Sequence, residues 1–197
     1  MRSATPLGIL CGLVFSLIQA QALSQPIGAD DPAVLSALRE PGAIVLIRHA
    51  QTVSGIGDPA HFRLDDCSTQ RNLSQEGLAQ SARFGRWLVS HGLRPKRVRS
   101  SQWCRCLDTA TAAFAGAIAV EPWSALNSFF QGHGNRDAQL AAAKAEVARN
   151  RGGLEVWVTH QVVISSLTGS SVAMGEFLVV KANTSGQLQV LGRGLVD

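Results

Sequence analysis

Residues 42–50 have the sequence Gly42-Ala43-Ile44-Val45-Leu46-Ile47-Arg48-His49-Ala50. Their apolar part is rich in β-branched side chains and begins after a Pro-Gly pair, which predicts a buried strand of an α/β sheet. The strand then ends in Arg48 and His49, and open α/β folds bind their ligands at the carboxyl edge of the sheet. The same pattern also fits a strand that runs into solvent and ends in two ordinary surface residues. The rest of the sequence is therefore needed to distinguish a ligand site from a solvent-exposed strand end.

Strand-like and helix-like segments alternate along the remaining sequence. Helices are predicted at 33–39, from the cap Ser74 to 90, from the cap Ser100-Ser101 to 114, at 137–149 and at 161–167, and strands near 98 and at 118–120, 154–159, 176–181 and 187–191. This alternation predicts a three-layer α/β/α sandwich with a mostly parallel central sheet and a C-terminal hairpin. In such a fold Arg48, His49, Arg105 and His160 lie at one edge of the sheet and converge on one pocket.

The N-terminal segment has the pattern of a secretory signal peptide. Arg2 is followed by an apolar run at 7–18 and by the small-x-small site Ala20-Gln21-Ala22. A retained membrane anchor is the alternative, which the polar residues that flank and follow the site disfavour. We therefore predict a cleaved signal at 1–22, a single domain at 23–197 with no stable membrane anchor, and export, most simply to the periplasm.

The formal net charge is +4, and six residues at 94–99 include four basic side chains. A basic stretch of this kind is sometimes a nucleic-acid patch. No aromatic residue is interleaved with it and no nucleic-acid motif accompanies it, so a solvated loop that leads into a strand is favoured. Nucleic acid is therefore not an expected partner.

Two arginines and two histidines in one pocket repel one another unless an anion lies between them. Phosphate fits such a pocket, because guanidinium groups match its oxygens in geometry and in charge. A metal site is the competing use of two histidines. The adjacent arginines disfavour a cation, and no Cys, Asp or Glu ligand spacing accompanies the histidines.

Four motifs occur in an order that is known from one protein family. They are Arg48-His49-Ala50-Gln51-Thr52, then Leu73-Ser74-Gln75-Glu76-Gly77 with Gln80, then residues 100–110 around Arg105, and finally Val158-Thr159-His160 with Leu167-Thr168-Gly169. In these motifs the chain resembles the histidine phosphatase superfamily, which has the phosphoglycerate-mutase-like fold. The resemblance extends over nearly all of the sequence after the predicted signal.

The resemblance implies a phosphatase in which His49 is the nucleophile. His49 would attack phosphorus to form a phosphohistidine that water then hydrolyses, with Arg48, Arg105 and His160 holding the transferring oxygens and Thr52 as a further phosphate-binding residue. It implies no cofactor and no metal. The expected partner is a small phosphomonoester or phosphoramidate, or a phosphorylated surface carbohydrate.

The sequence departs from the family where many members carry an acid. A Leu-x-Glu pattern is replaced by Leu126-Asn127-Ser128, and a Trp-Glu-Gly pattern by Phe130-Gln131-Gly132. These losses argue against a mutase and leave the leaving-group acid open. The candidates for it are Asp58, Asp65, Asp66 and Glu121, each of which also fits a turn or cap. A non-catalytic phosphate-binding or regulatory module of the same fold is the alternative function.

Three cysteines follow the predicted signal, namely Cys67, Cys104 and Cys106. Disulfides persist in the oxidising compartments to which a signal peptide directs a protein. Cys106 stands where relatives often have a buried thiol, which favours a packing role. We therefore predict a disulfide between Cys67 and Cys104 that ties the loop after His49 to the helix of the second arginine motif.

Overall fold

The computed structural model of the protein describes residues 28–55, 57–114 and 116–196. The helices are α1 (Pro32–Leu38), α2 (Gln75–Ser90), α3 (Cys104–Phe114), α4 (Arg136–Arg149) and α5 (Gln161–Thr168), and the strands are β1 (Ile44–Arg48), β2 (Arg97–Ser100), β3 (Val120–Pro122), β4 (Glu155–Thr159), β5 (Phe177–Ala182) and β6 (Leu188–Gly194). The predicted signal at 1–22 lies outside the described residues. Within them, every helix is too short or too polar to span a bilayer.

The six strands form one sheet in the order β3-β2-β4-β1-β5-β6. The pairs β3/β2, β2/β4 and β4/β1 are parallel, whereas β5 pairs antiparallel with β1 and with β6. The C-terminal hairpin and the mostly parallel sheet are thus confirmed. Strands β1 and β4 are central neighbours, and Arg48 lies opposite Thr159 in their register.

Alternating side chains of the sheet divide the interior into two cores. In β1, Val45 and Ile47 belong to the core that α1, α2 and α3 cover, and Ile44 and Leu46 belong to the core under α4 and α5. All four side chains are buried, as expected of a central strand with helices on both faces. The structure therefore confirms the α/β/α sandwich.

Helix α2 begins as its sequence predicts. The Ser74 hydroxyl accepts a hydrogen bond from the Gly77 amide at 3.0 Å, which satisfies one of the free donors of the first turn. A Cβ atom on Gly77 would lie 1.9 Å from the carbonyl oxygen of Gln51. Glycine at this position thus allows the first turn of α2 to pack directly on the backbone that follows His49.

Two predicted boundaries are wrong. Helix α3 starts at Cys104 and not directly after Ser100-Ser101, because Ser100 still belongs to β2 and the amide of Ser101 continues the sheet by donating to Val158 O at 2.9 Å. Strand β3 begins at Val120, where it pairs with Val98, and the predicted segment 118–120 overlaps it by one residue.

Cys67 and Cys104 form a disulfide, and Cys106 is a buried free thiol. The bond joins residues 37 positions apart, so it restricts the unfolded chain. We expect the double variant Cys67→Ser, Cys104→Ser to lose about 3 kcal/mol of unfolding free energy, measured by urea denaturation. Reductant should lower the stability of the wild type toward that of the variant. A variant as stable as the oxidised wild type would contradict this prediction.

Candidate active site

The two histidines of the motifs meet because β1 and β4 are neighbours. His49 follows β1, His160 follows β4, and the amide of His49 donates to Thr159 O at 2.9 Å. Their ring centroids are 5.6 Å apart, and both residues are almost completely buried, at 2% and 3% exposure. The structure therefore brings the two predicted histidines together at the carboxyl edge of the sheet.

Hydrogen bonding determines which nitrogen of His49 is free. Nδ1 lies 2.9 Å from the carbonyl oxygen of Ala50. A carbonyl oxygen only accepts, so Nδ1 carries the proton and Nε2 keeps its lone pair. Burial, reinforced by the Arg105 guanidinium, lowers the pKa of His49 to about 3. The residue is therefore an uncharged imidazole whose Nε2 is available as a nucleophile at neutral pH.

The lowered pKa of His49 gives a testable pH dependence. Because the ordinary pKa of histidine is 6.5 and the pKa of His49 in the folded protein is about 3, the unfolded chain binds a proton over this range that the folded protein does not bind. We expect the free energy of unfolding to fall as the pH decreases from about 6.5, and the His49 Cε1–H resonance to show no midpoint near that pH. The resonance is assigned by its absence from the spectrum of His49→Ala. A midpoint near pH 6.5, the ordinary pKa of histidine, would show that burial does not lower the pKa of His49.

Three arginines surround the two histidines. Arg48 Nη1 donates to Val172 O at 3.0 Å, and Arg105 Nη1 donates to Asp58 Oδ1 at 2.8 Å. The Nε atoms of Arg48, Arg71 and Arg105 are all buried and have no hydrogen-bond partner among the described residues. Burial and repulsion by Arg71 and Arg105 lower the pKa of Arg48. Unpaired buried donors on mutually repelling cations are what an anion would satisfy.

These side chains line one cleft of about 310 Å³. Its lining includes Arg48, His49, Arg71, Arg105 and His160, so all four residues that were predicted to converge do so. Within the described residues, no group of three or more His, Cys, Asp or Glu side chains is placed to hold a metal ion.

Arg71 is a site residue that the sequence reasoning missed. It lies in the long loop after β1, two residues before the motif that begins at Leu73. The ends of this loop pair through a bridge between Thr52 and Leu73 and a hydrogen bond from Val53 N to Asn72 O at 3.1 Å. That pairing returns Arg71 to the end of β1. The one available signal was a basic residue two positions before a matched motif.

A hydrogen-bond network behind the cleft fixes the orientation of His160. Its Nδ1 lies 3.4 Å from Arg105 Nη2, which only donates, so Nδ1 is an acceptor and Nε2 carries the proton. Nε2 in turn lies 2.9 Å from the hydroxyl of Ser101, which donates to Asn127 Oδ1 at 3.0 Å. Burial and Arg105 lower the pKa of His160 well below its ordinary value. Ser101 and Asn127 thus orient the second histidine, and neither was singled out from the sequence for this role.

Only one of the four candidate acids lines the cleft. Asp58 accepts hydrogen bonds on Oδ1 from Arg105 and, at 3.1 Å, from the Arg71 amide. Asp65 and Asp66 pair with Arg63 on the surface of the loop, where Asp66 also caps a short 3₁₀ turn. Glu121, on β3, pairs with two arginines of β2.

Two of three further residues named from the sequence line the cleft, and the third lies outside its lining. Thr52 is buried outside the lining of the cleft, and its hydroxyl donates to Met174 Sδ at 3.7 Å. Ser128 and Gln131, which stand where the family often has acids, both line the cleft. The two positions thus face the site with uncharged side chains in place of carboxylates.

Comparisons with known proteins agree with this geometry. The sequence model of the histidine phosphatase superfamily, branch 1, matches residues 44–133. The fold is similar to that of the protein histidine phosphatase SixA, solved with tungstate, at a TM-score of 0.57 and 15% identity over 78% of this chain and 96% of that chain. It is also similar to YhfR of Bacillus stearothermophilus, at a TM-score of 0.60 and 16% identity over 79% and 98%. Residues 44–133 thus match the histidine phosphatase superfamily, and the described fold is similar to the folds of these two proteins.

A third similar structure is that of a mycobacterial glucosyl-3-phosphoglycerate phosphatase, with a TM-score of 0.55 and 16% identity over 75% of this chain and 96% of that chain. Comparison with curated proteins gives no significant sequence match. The family expected from the four motifs is confirmed, and so is its fold. At these identities the structural likeness concerns the fold alone.

Proposed function

We propose that the protein is a phosphatase that hydrolyses a phosphomonoester or phosphoramidate through a phosphohistidine on His49. The observation that carries the proposal is the position of the unprotonated Nε2 of His49 among three guanidinium groups whose buried Nε donors have no partner in the part of the chain that the structure describes. Such a cleft binds a phosphoryl dianion and holds a neutral nucleophile beside it. SixA was solved with tungstate, an oxyanion, which supports the same use of this fold.

In the first step Nε2 of His49 forms a bond to phosphorus while the bond to the leaving oxygen or nitrogen breaks. Arg48, Arg71 and Arg105 neutralise the charge on the equatorial oxygens, which is the main catalytic contribution in phosphoryl transfer. In the second step water attacks phosphorus, phosphate leaves, and His49 regains its lone pair. His160, whose Nδ1 accepts from Arg105 and whose Nε2 faces Ser101, would hold the Arg105 guanidinium in position for the equatorial oxygens. No metal or cofactor is part of the proposed reaction.

The leaving group needs a proton, and Asp58 is the proposed carrier. In the free protein its carboxylate pairs with Arg105, and its side chain is 24% exposed. A bound phosphoryl dianion would compete with Asp58 for Arg105 and so free the Asp58 carboxyl group to face the leaving group. Asp58 would then donate to the leaving oxygen and, as a carboxylate, accept a proton from the attacking water.

We expect Asp58→Asn to reduce turnover of phenyl phosphate about 100-fold and turnover of 4-nitrophenyl phosphate much less, because a nitrophenolate leaves without a proton. The measurement is kcat for both substrates in wild type and variant. Asp65→Asn is the matched control, since Asp65 is an exposed carboxylate of the same loop. Equal losses on both substrates would assign Asp58 to charge balance for Arg105 and not to proton transfer.

The test of the proposed function separates an enzyme from a phosphate-binding module, the alternative of the same fold. The residues that follow the predicted signal are incubated with 4-nitrophenyl phosphate, and inorganic phosphate and vanadate are titrated in parallel by calorimetry. Hydrolysis that vanadate inhibits competitively supports the phosphatase. Binding of both anions without hydrolysis would establish the module instead.

Export to the periplasm remains part of the proposal and rests on the sequence of residues 1–22. The proposed partner is a small phosphorylated molecule or a phosphorylated surface carbohydrate. One relative is named a glucosyl-3-phosphoglycerate phosphatase, so this fold accommodates phosphorylated sugar derivatives in another protein.

A further inference from the structure

The phosphate cleft continues into a groove. A cavity of about 250 Å³ shares Asp58, Ser128, Phe130 and Gln131 with the cleft. It opens in turn into a cavity of about 410 Å³, with which it shares Phe62, Trp103, Ser128 and His133. A molecule whose phosphoryl group lies against His49 therefore has a continuous path for its remaining atoms past Asp58.

A column of planar groups runs from Arg105 in the cleft to the aromatic wall of this groove. The Arg105 guanidinium lies 4.4 Å above the Trp103 ring, and Trp103 stacks on Phe62 with centroids 4.2 Å apart and planes at 29°. His133 meets Phe62 edge-on at 4.9 Å. Trp103 is buried within the column, so Phe62 and His133 provide the accessible ring surface.

Phe130 is a large aromatic residue that is exposed and not packed in the core. It lines both the cleft and the adjoining groove, and 61% of its surface is exposed. The next residue, Gln131, has a φ of +59°, and no other residue except glycine has a positive φ in the described parts of the chain. Strained backbone of this kind is concentrated at functional sites. An exposed phenyl ring on a strained turn beside the cleft is suited to covering a bound ring.

The charges of the site are divided between cleft and groove. The three arginines line the cleft, and neither groove cavity has an arginine or lysine in its lining within the described residues. The titratable side chains of the groove are Asp58, at its junction with the cleft, and His133. A second anionic group on the substrate would meet no cation there and would pass the Asp58 carboxylate.

We propose that the groove is the subsite for the leaving group and that it selects an uncharged, ring-bearing alcohol or amine. The apolar face of the ring would stack on Phe62 and be covered by Phe130, while the phosphoryl group occupies the arginine cleft. The inference rests on the proposed phosphatase function and names the substrate class within it. Substrates with a carboxylate or a second phosphate on the leaving group are disfavoured.

Phosphonates test the subsite without any chemical step. We measure competitive inhibition of 4-nitrophenyl phosphate hydrolysis by methyl-, benzyl-, cyclohexylmethyl- and 4-carboxybenzylphosphonate. Burial of a ring in the groove is expected to make benzylphosphonate bind at least about tenfold tighter than methylphosphonate. 4-Carboxybenzylphosphonate is expected to bind about fivefold or more weakly than benzylphosphonate because of its added carboxylate. Tighter binding of the benzyl or the cyclohexylmethyl compound than of methylphosphonate supports the subsite. Whichever of these two compounds binds more tightly shows whether the subsite prefers an aromatic or a saturated ring.

Two variants locate the effect. Phe130→Ala and Phe62→Ala should each reduce the benzyl-to-methyl ratio at least threefold by removing a stacking surface. Val89→Ala, which truncates a 67% exposed apolar residue near the end of α2, should leave the ratio unchanged. Equal inhibition by methyl- and benzylphosphonate in an active wild type would overturn the subsite and leave the phosphatase intact. An inactive wild type that also fails to bind methylphosphonate would overturn the proposed function itself.

Discussion

His49→Ala is expected to lower kcat for 4-nitrophenyl phosphate at least about 10⁴-fold, because the variant has no atom that can form the covalent intermediate. The arginine cleft remains in this variant, so it should still bind phosphate. The loss should therefore fall on kcat and not on the dissociation constant for phosphate. Steady-state hydrolysis and phosphate calorimetry on the same preparations measure the two quantities.

His61→Ala is the matched control for this experiment. His61 is an exposed histidine of the loop after β1 and does not line the cleft. Its removal should leave kcat and phosphate affinity unchanged. If His49→Ala retained a tenth of the wild-type turnover, a different nucleophile or direct attack by water would have to replace the covalent mechanism.

Arg105→Ala is expected to reduce kcat/KM by about 10³-fold. Arg105 is 3% exposed, pairs with Asp58 and lies against Nδ1 of His160, so its removal takes charge from the transition state and also releases two other site residues. Arg105→Lys keeps the charge but not the planar fork, and we expect it to recover only part of the loss. Rates with 4-nitrophenyl phosphate give both values.

Arg94→Ala removes an exposed arginine of the basic stretch at 94–99 and is the control for net charge. It should have no effect on kcat/KM. Full activity in Arg105→Lys would mean that a point charge suffices and that the planar fork of the guanidinium is not required.

Local sequence patterns predicted the fold because they reflect periodic burial. The run from Ile44 to Ile47 is apolar at every position, and only a central strand with helices on both faces buries such a run. Its parallel partner β4 is also buried at every position, so the placement of His49 beside His160 followed from topology. The start of α3 was predicted too early for a different reason. The backbone of Ser100 and Ser101 is part of the sheet through long-range hydrogen bonds, which no local sequence pattern indicates.

The site was predictable only in part, for the same reason. The motif residues lie next to strand ends, so the sheet determines their positions. Arg71 and Asp58 belong to a long loop whose path depends on the bridge between Thr52 and Leu73 and on contacts with Arg105. From sequence, Asp58 was equivalent to Asp65 and Asp66, and only the folded loop separates the cleft residue from the surface residues.

The central claim is the phosphohistidine on His49, and the most direct test is to trap it. The protein is mixed with 4-nitrophenyl phosphate, quenched in alkali during the first turnovers and analysed by intact mass and peptide mapping. We expect protein that carries one phosphoryl group, on the peptide that contains His49, and none in His49→Ala. A phosphoryl group on any other residue, with His49 unmodified during turnover, would contradict it.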